Sequence, residues 1–181
     1  MRDDDALDNN PNIARRELAE LHDDLFGWSL SRCDFDRVMA EDLMQQAYVE
    51  VLTGRARFQG GSALKTFLFG VVQNLARSRF RRRTVRLRIL KTVAGERPAT
   101  APMPAIDDRY RDRVWAAVRA LPGRQRDITE LVFCRELTIQ EASAVMGISV
   151  GSGRVHYDRA KKSLAVSLAD LRDDEMIGAA E

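Results

Sequence analysis

Residues 138–162 read TIQEASAVMGISVGSGRVHYDRAKK. Three glycines precede a dense basic stretch, and two readings compete: a phosphate-cradling loop, or a tight turn between two helices. A P-loop needs Gly-Lys-Ser/Thr after its spacer, but Arg154-Val155 follows Gly153. A dinucleotide fingerprint needs a third glycine that Arg154, Val155 and His156 do not supply, and it follows a strand. The upstream segment is not a strand. Ile139, Ala142, Val145 and Met146 fall at three-four spacing, the mark of one helix face. Thr138 and Glu141 form a capping box, Gly147 suits the left-handed residue after a helix end, and Ser149 can cap the next helix. The stretch therefore predicts helix, short turn, helix.

Working outward, the same periodicity predicts helices almost everywhere else. Ile13 to about Leu30 is one, with Leu18, Leu21, Leu25 and Trp28 on a face. Asp36 caps a second, Val38–Leu52, whose apolar stripe is Leu43, Met44, Ala47, Tyr48 and Val51 and which Gly54 ends. Ser62 is the expected N-cap of a third, Ala63 to about Arg83, with Leu64, Phe67, Leu68, Val71, Val72, Leu75 and Phe80 on its apolar face. Arg109–Ala120, with Tyr110, Val114, Ala117, Val118 and Leu121 inward, and Arg124–Cys134, with Ile128, Leu131 and Val132, follow a segment rich in alanine and proline. That segment, residues 92–107, reads as a flexible linker. The expectation is an all-α chain of two small helical domains, 13–91 and 108–172, the second holding the helix-turn-helix. A disordered acidic tail (1–12) and a polar tail (173–181) flank them.

Charge is distributed unevenly. The chain of 181 residues has a formal net charge of only +2, yet from Val51 to Gly95 there is no acidic residue. The same window carries Arg55, Arg57, Lys65, Arg77, Arg79, Arg81, Arg82, Arg83, Arg86, Arg88 and Lys91. Such a window repels itself unless an anion meets it, so nucleic acid is the expected partner. No apolar run approaches a membrane span, and the polar, acidic start is no signal peptide. Cys33 and Cys134 form no Cys-x-x-Cys pair; they read as packed thiols in a reducing, cytoplasmic compartment. No metal site or cofactor is expected. Catalysis is the weakest reading: His22-Asp23-Asp24 lie consecutively on a helix, where side chains point apart, and no nucleophile pairs with them.

Three stretches in order, AEDLMQQAYVEVL, FQGGSALKTFLFGVVQNLARSRFRRR and ALPGRQRDITELVFCRELTIQEASAVMGISVGSGRVHYDRAKKSL, resemble bacterial sigma factors. The short two-domain layout is similar to the extracytoplasmic-function (ECF) group. The resemblance covers roughly residues 18–171. It implies an alternative sigma factor that binds core RNA polymerase and directs promoter recognition and transcription initiation, with an anti-sigma factor as a further partner and a monomeric free state. It implies that Glu41, Asp42, Leu43, Gln45 and Gln46 dock on the polymerase clamp, with Gln46 where the family often has an acid. It implies that Phe58, Ser62, Phe67, Phe69, Asn74, Arg77, Arg79, Arg81 and Arg82 melt and read the minus-ten element. Stacking platforms, base-edge hydrogen bonds and phosphate contacts are the chemistry such residue types supply. On its position in the apolar face, Phe67 reads as core before it reads as a base platform.

By the same resemblance Ser152, Arg154, Val155, Asp158 and Arg159 meet the minus-thirty-five element in the major groove, and Arg126, Lys161 and Lys162 fit phosphate contacts. Two departures stand out. Gly153 occupies a position usually filled by an apolar core residue, where a helix-interior glycine costs about 1 kcal/mol. Ser143 replaces a usual alanine. Asp158 would repel phosphate but can accept from a cytosine amino group. His156 and Tyr157 read as packing residues. A helix-turn-helix regulator acting as a dimer without polymerase is the main alternative, and a sigma-like interaction protein that binds only an anti-sigma factor is another. Neither the inducing stimulus nor the regulon is legible.

Overall fold

The structure, a computed structural model, describes residues 6–90 and 109–169. The chain divides into two compact units, Met1–Met103 and Pro104–Glu181. The expected linker 92–107 and tail 173–181 lie outside the described residues.

The first unit begins differently from expectation. Across the stretch read as a disordered tail (1–12) and the expected start of the first helix at Ile13, β1 (Ala6–Leu7) and β2 (Asn10–Ala14) pair as an antiparallel hairpin. Leu7, Asn10 and Ile13 are buried. The polar composition concealed this, because beside Leu7 and Ile13 the hairpin is tied down by asparagine side chains bonding to backbone. The first helix accordingly starts later, and as two pieces. α1 (Arg15–Glu20) opens with the Glu17 carboxylate accepting from the Ala14 amide at 2.9 Å, and α2 (His22–Arg32) follows a break at Leu21.

α3 (Arg37–Leu52) starts where Asp36 accepts from the Met39 amide at 3.0 Å, as the sequence predicts. α4 (Leu64–Leu90) runs longer than expected. Ala63, not Ser62, stands at its entry: the Ala63 carbonyl accepts from the Phe67 amide, while the Ser62 hydroxyl donates to that carbonyl instead of capping. α2, α3 and α4 pack on one another. Leu25, Trp28, Leu43, Ala47, Val51, Leu68, Phe69 and Val72 fill the space between them. Trp28 anchors this core. Its ring stacks on Phe69 at 5.8 Å between centroids, and its indole nitrogen donates to the Phe69 carbonyl at 3.2 Å. A buried tryptophan thus keeps its polar atom satisfied while burying its large apolar area. Cys33, just after α2, is also buried, and burial pushes its thiol up to about 11. At neutral pH it is therefore protonated and poorly nucleophilic.

In the second unit α5 (Arg109–Ala120), α6 (Gly123–Phe133), α7 (Ile139–Met146) and α8 (Val150–Ser167) enclose Val118, Leu121, Ile128, Leu131, Leu137, Ala142, Val145, Met146 and Ala160. The α7–turn–α8 reading holds in detail. Thr138 and Glu141 cap α7 reciprocally, Gly147 is left-handed at φ 61°, and Ser149 accepts from the Ser152 amide. Cys134, expected as a packed thiol, is exposed, since the apolar stripe of α6 ends just before it.

Candidate nucleic-acid interface

On α3 the expected docking residues separate into two sets. Asp42 and Gln45 are exposed, and Glu41 is half-buried with its carboxylate paired to Arg37 at 3.2 Å. Leu43 is fully buried and belongs to the core, a correction that follows from its place on the stripe with Ala47. Gln46 is also turned partly inward, where its amide oxygen accepts from Arg79 at 3.0 Å. The apolar residues on the outer face are ones the sequence reading passed over: Val38 (70% exposed), Met39, Val49 and Leu52. Val38, Asp42, Gln45, Val49 and Leu52 fall at helical spacing, so one outward stripe carries the polar pair Asp42 and Gln45 flanked by apolar groups.

The loop and helix that follow hold the aromatic and basic residues. Phe58 and Phe67 are both half-buried and pack ring to ring, 5.2 Å between centroids and tilted by 43°. Phe67 therefore sits between the two roles weighed for it, part of an aromatic pair at the edge of the core. Phe69 does not join them. It is fully buried against Trp28, so its assignment to minus-ten DNA is withdrawn. Between Phe58 and α4 the residues Gln59–Ser62 are exposed, and a methyl group added at Gly60 or Gly61 would touch nothing.

Along α4, Phe67, Asn74, Arg77 and Arg81 recur at helical spacing and share a stripe away from the buried side. Asn74, Arg81 and Arg82 are exposed, and Arg77 is half-buried. Arg79 lies on the other side, engaged with Gln46. Lys65 pairs with Asp24 at 2.8 Å. Phe80, placed by periodicity on the apolar face, is 72% exposed. Periodicity tells which side of a helix is apolar, not whether a partner helix lies alongside at that point.

α8 presents its candidate residues more uniformly. Ser152, Arg154, Val155, Asp158, Arg159 and Lys162 are all exposed, while Gly153 and Ala160 lie on the buried side. Ser152 is partly committed to the turn, its hydroxyl oxygen accepting from Ser149 at 2.9 Å. Asp158 pairs with Lys161 at 3.3 Å. Arg126 stands on α6, as the sequence predicts, and donates to the Arg119 carbonyl at 3.3 Å. Tyr157 packs on Phe133 at 5.8 Å, in keeping with a packing role.

The two departures noted in this motif explain each other. A methyl group at Gly153 would collide with the Ser143 hydroxyl oxygen and press on Ile128 Cδ1 at 3.3 Å. Ser143, itself buried, donates to the Ile139 carbonyl at 2.6 Å. The extra oxygen on α7 occupies the space vacated on α8.

Comparison with known proteins fits this geometry. Residues 19–86 match the family model for sigma-70 region 2, and residues 111–164 match that for sigma-70 region 4. The ECF RNA polymerase sigma factor EcfG of Rhodopseudomonas palustris is 30% identical over 134 residues, 71% of each chain. The ECF RNA polymerase sigma factor SigX of Bacillus subtilis is 27% identical over 148 residues, 78% of this chain and 76% of its own. Among solved structures, the sigma factor RpoE of Bartonella quintana, in complex with the anti-sigma factor NepR, superposes with a TM-score of 0.70 at 24% identity, covering 86% of this chain and 96% of that one. A dimeric regulator without a polymerase role would account for the second unit alone, whereas the matches extend through both. The chain belongs to the ECF group of sigma-70 factors, and it is an alternative sigma factor that directs transcription initiation.

Proposed function

We propose a division of labour between the two units. Glu41, Asp42 and Gln45, with the outward apolar groups Val38, Met39, Val49 and Leu52, meet core RNA polymerase; an acidic and amide surface interrupted by apolar side chains suits a basic, partly apolar partner helix. Phe58 and Phe67 receive unstacked bases of the minus-ten element. Ser62 and Asn74 bond base edges or backbone, and Arg77, Arg81 and Arg82 hold phosphates. Arg154, Val155, Asp158 and Arg159 face base edges of the minus-thirty-five element, with Lys162 on the backbone. The functional domains span 13–91 and 108–172, and the role is that of a cytoplasmic, non-enzymatic subunit, monomeric when free. An anti-sigma partner is proposed by likeness to the Bartonella quintana factor.

The observation that carries this reading is the shared stripe of Phe67, Asn74, Arg77 and Arg81, next to the Phe58 ring. A stacking surface continues there into a cationic track, the combination a single strand requires. The test is reconstitution with bacterial core polymerase and transcription from a randomised promoter library. Stable core binding with new start sites sharing two spaced elements is the expected result. Duplex binding as a dimer without core binding would return the chain to the regulator alternative.

A further inference from the structure

The hairpin Ala6–Ala14 precedes the region-2 match, which starts at residue 19, and it makes a concentrated set of contacts with one place. Asn10 is 2% exposed. Its amide nitrogen donates to the carbonyls of Val51 and Ala56, and its amide oxygen accepts from the Phe58 backbone nitrogen at 2.9 Å. Asn12 donates to the Phe58 carbonyl at 3.3 Å, and Asn9 to the Leu52 carbonyl at 2.9 Å. Gly54 is left-handed at φ +69°, and a side chain there would meet Asn9 Cβ at 3.0 Å and the Asn9 carbonyl at 3.1 Å.

Two consequences follow from these bonds. Leu52 and Val51 end α3, where carbonyls lack partners within the helix; the asparagine amides help satisfy them from outside. Phe58 has both of its peptide groups tied to the hairpin, one through Asn10 and one through Asn12, while its ring rests on Phe67. A buried amide that spends both donors and its acceptor is expensive to disturb, because each abandoned partner is left desolvated. The hairpin thus fixes the backbone from which the aromatic platform projects.

We infer that Asn10 and Asn12 are positioning residues for promoter opening: they hold Phe58 in place so that the platform is preformed when a base leaves the duplex. Preformed geometry spares the strand-capture step the entropy of ordering a loop. The inference rests on the proposed role of Phe58 and deepens it.

The test uses the full chain bound to core polymerase, on a promoter carrying 2-aminopurine in the minus-ten element. Core affinity and opening rate are measured for Asn10→Ala, Asn12→Ala, Phe58→Ala and the double variant Asn10→Ala/Phe58→Ala. The expected result is core affinity within about twofold of the parent, with opening slowed about tenfold in Asn10→Ala, which loses three hydrogen bonds, one of them to Phe58, and about threefold in Asn12→Ala, which loses one. The double variant should open no more slowly than Phe58→Ala, since both changes act through one ring. Should Asn10→Ala fail to fold, Asn12→Ala, whose bond is exposed, decides alone. Normal opening in a folded asparagine variant, parallel loss of core binding, or additive effects in the double variant would each overturn the inference while leaving the Phe58 reading intact. Normal opening in Phe58→Ala would overturn that reading, and this inference with it.

Discussion

α8 and α4 are both basic helices in units that match DNA-handling regions, yet they use their charges differently. On α8 the exposed residues and the buried ones divide cleanly: Gly153 and Ala160 inward, Arg154, Val155, Arg159 and Lys162 outward. On α4 the two kinds interleave. Arg79 is spent on Gln46, Phe69 is core, Phe67 lies at the margin, and the stripe of Asn74, Arg77 and Arg81 continues outward. A docked recognition helix needs a rigid back and a free front. The role proposed for α4, receiving bases from an opened duplex, would have its aromatic groups shared with the core that supports them.

The sharpest way to break this contrast is between two phenylalanines. Phe69→Ala should cost about 3–5 kcal/mol of stability, the range for a buried aromatic replaced by alanine, because it removes the ring stacked on Trp28. Phe67→Ala should cost less than half as much in urea unfolding yet slow promoter opening. Equal stability losses would mean that Phe67 is simply core.

The back of α8 can be tested by size. Gly153→Ala should destabilise the second unit by about 1–3 kcal/mol through overpacking, partly offset by about 1 kcal/mol of helix propensity. Adding Ser143→Ala removes the colliding oxygen, and the double variant should regain or exceed parental stability. Thermal unfolding of the four chains of this cycle reads the coupling. A Gly153→Ala chain as stable as the parent would show that the Ser143–Gly153 contact is not tight.

The front of α8 and the stripe of α4 should respond differently to loss of an arginine. Arg154→Ala should lose about 1–3 kcal/mol of discrimination at one position of the minus-thirty-five element and leave core binding unchanged. Arg81→Ala should weaken promoters evenly and lower the salt dependence by about one ion. Competition assays over a promoter panel at several salt concentrations separate the two. An even loss for Arg154→Ala would place it on phosphate.

The contrast also explains what was legible in the sequence. Thr138, Glu141, Gly147 and Ser149 announce α7 and α8 because caps and turns are local chemistry, decided within a few residues. The candidate set on α8 came from the family resemblance, and all of its residues are exposed. The hairpin was not legible. Asn9, Asn10 and Asn12 act on carbonyls about forty residues away in sequence, and no local pattern encodes a partner at that distance. Leu43 was misplaced for a different reason: the resemblance supplied a helix, while the face had to come from the stripe with Ala47 and Val51. Phe69 failed in the same way. Family likeness located the segment, and packing chose the residue.

Asp158 is the smallest test and the most specific to this chain. It stands on the outward face of α8 among cations, and its carboxylate pairs with Lys161, the two side chains being 63% and 52% exposed. An exposed pair of this kind contributes about 0–1 kcal/mol, so Asp158→Ala should leave stability nearly unchanged. What should change is the balance of contacts with DNA. Removing a negative charge from the front of the helix relieves repulsion from phosphates, so affinity for unrelated duplexes should rise, most visibly at low salt. If the carboxylate also accepts from a cytosine amino group, preference for cytosine at one position should disappear in the same variant. The combined outcome, tighter and less selective, would assign Asp158 to specificity at the expense of affinity. Tighter binding with selectivity intact would leave it only the partner of Lys161. Weaker binding on every sequence would show that the pair orders the helix surface, a role its exposure argues against.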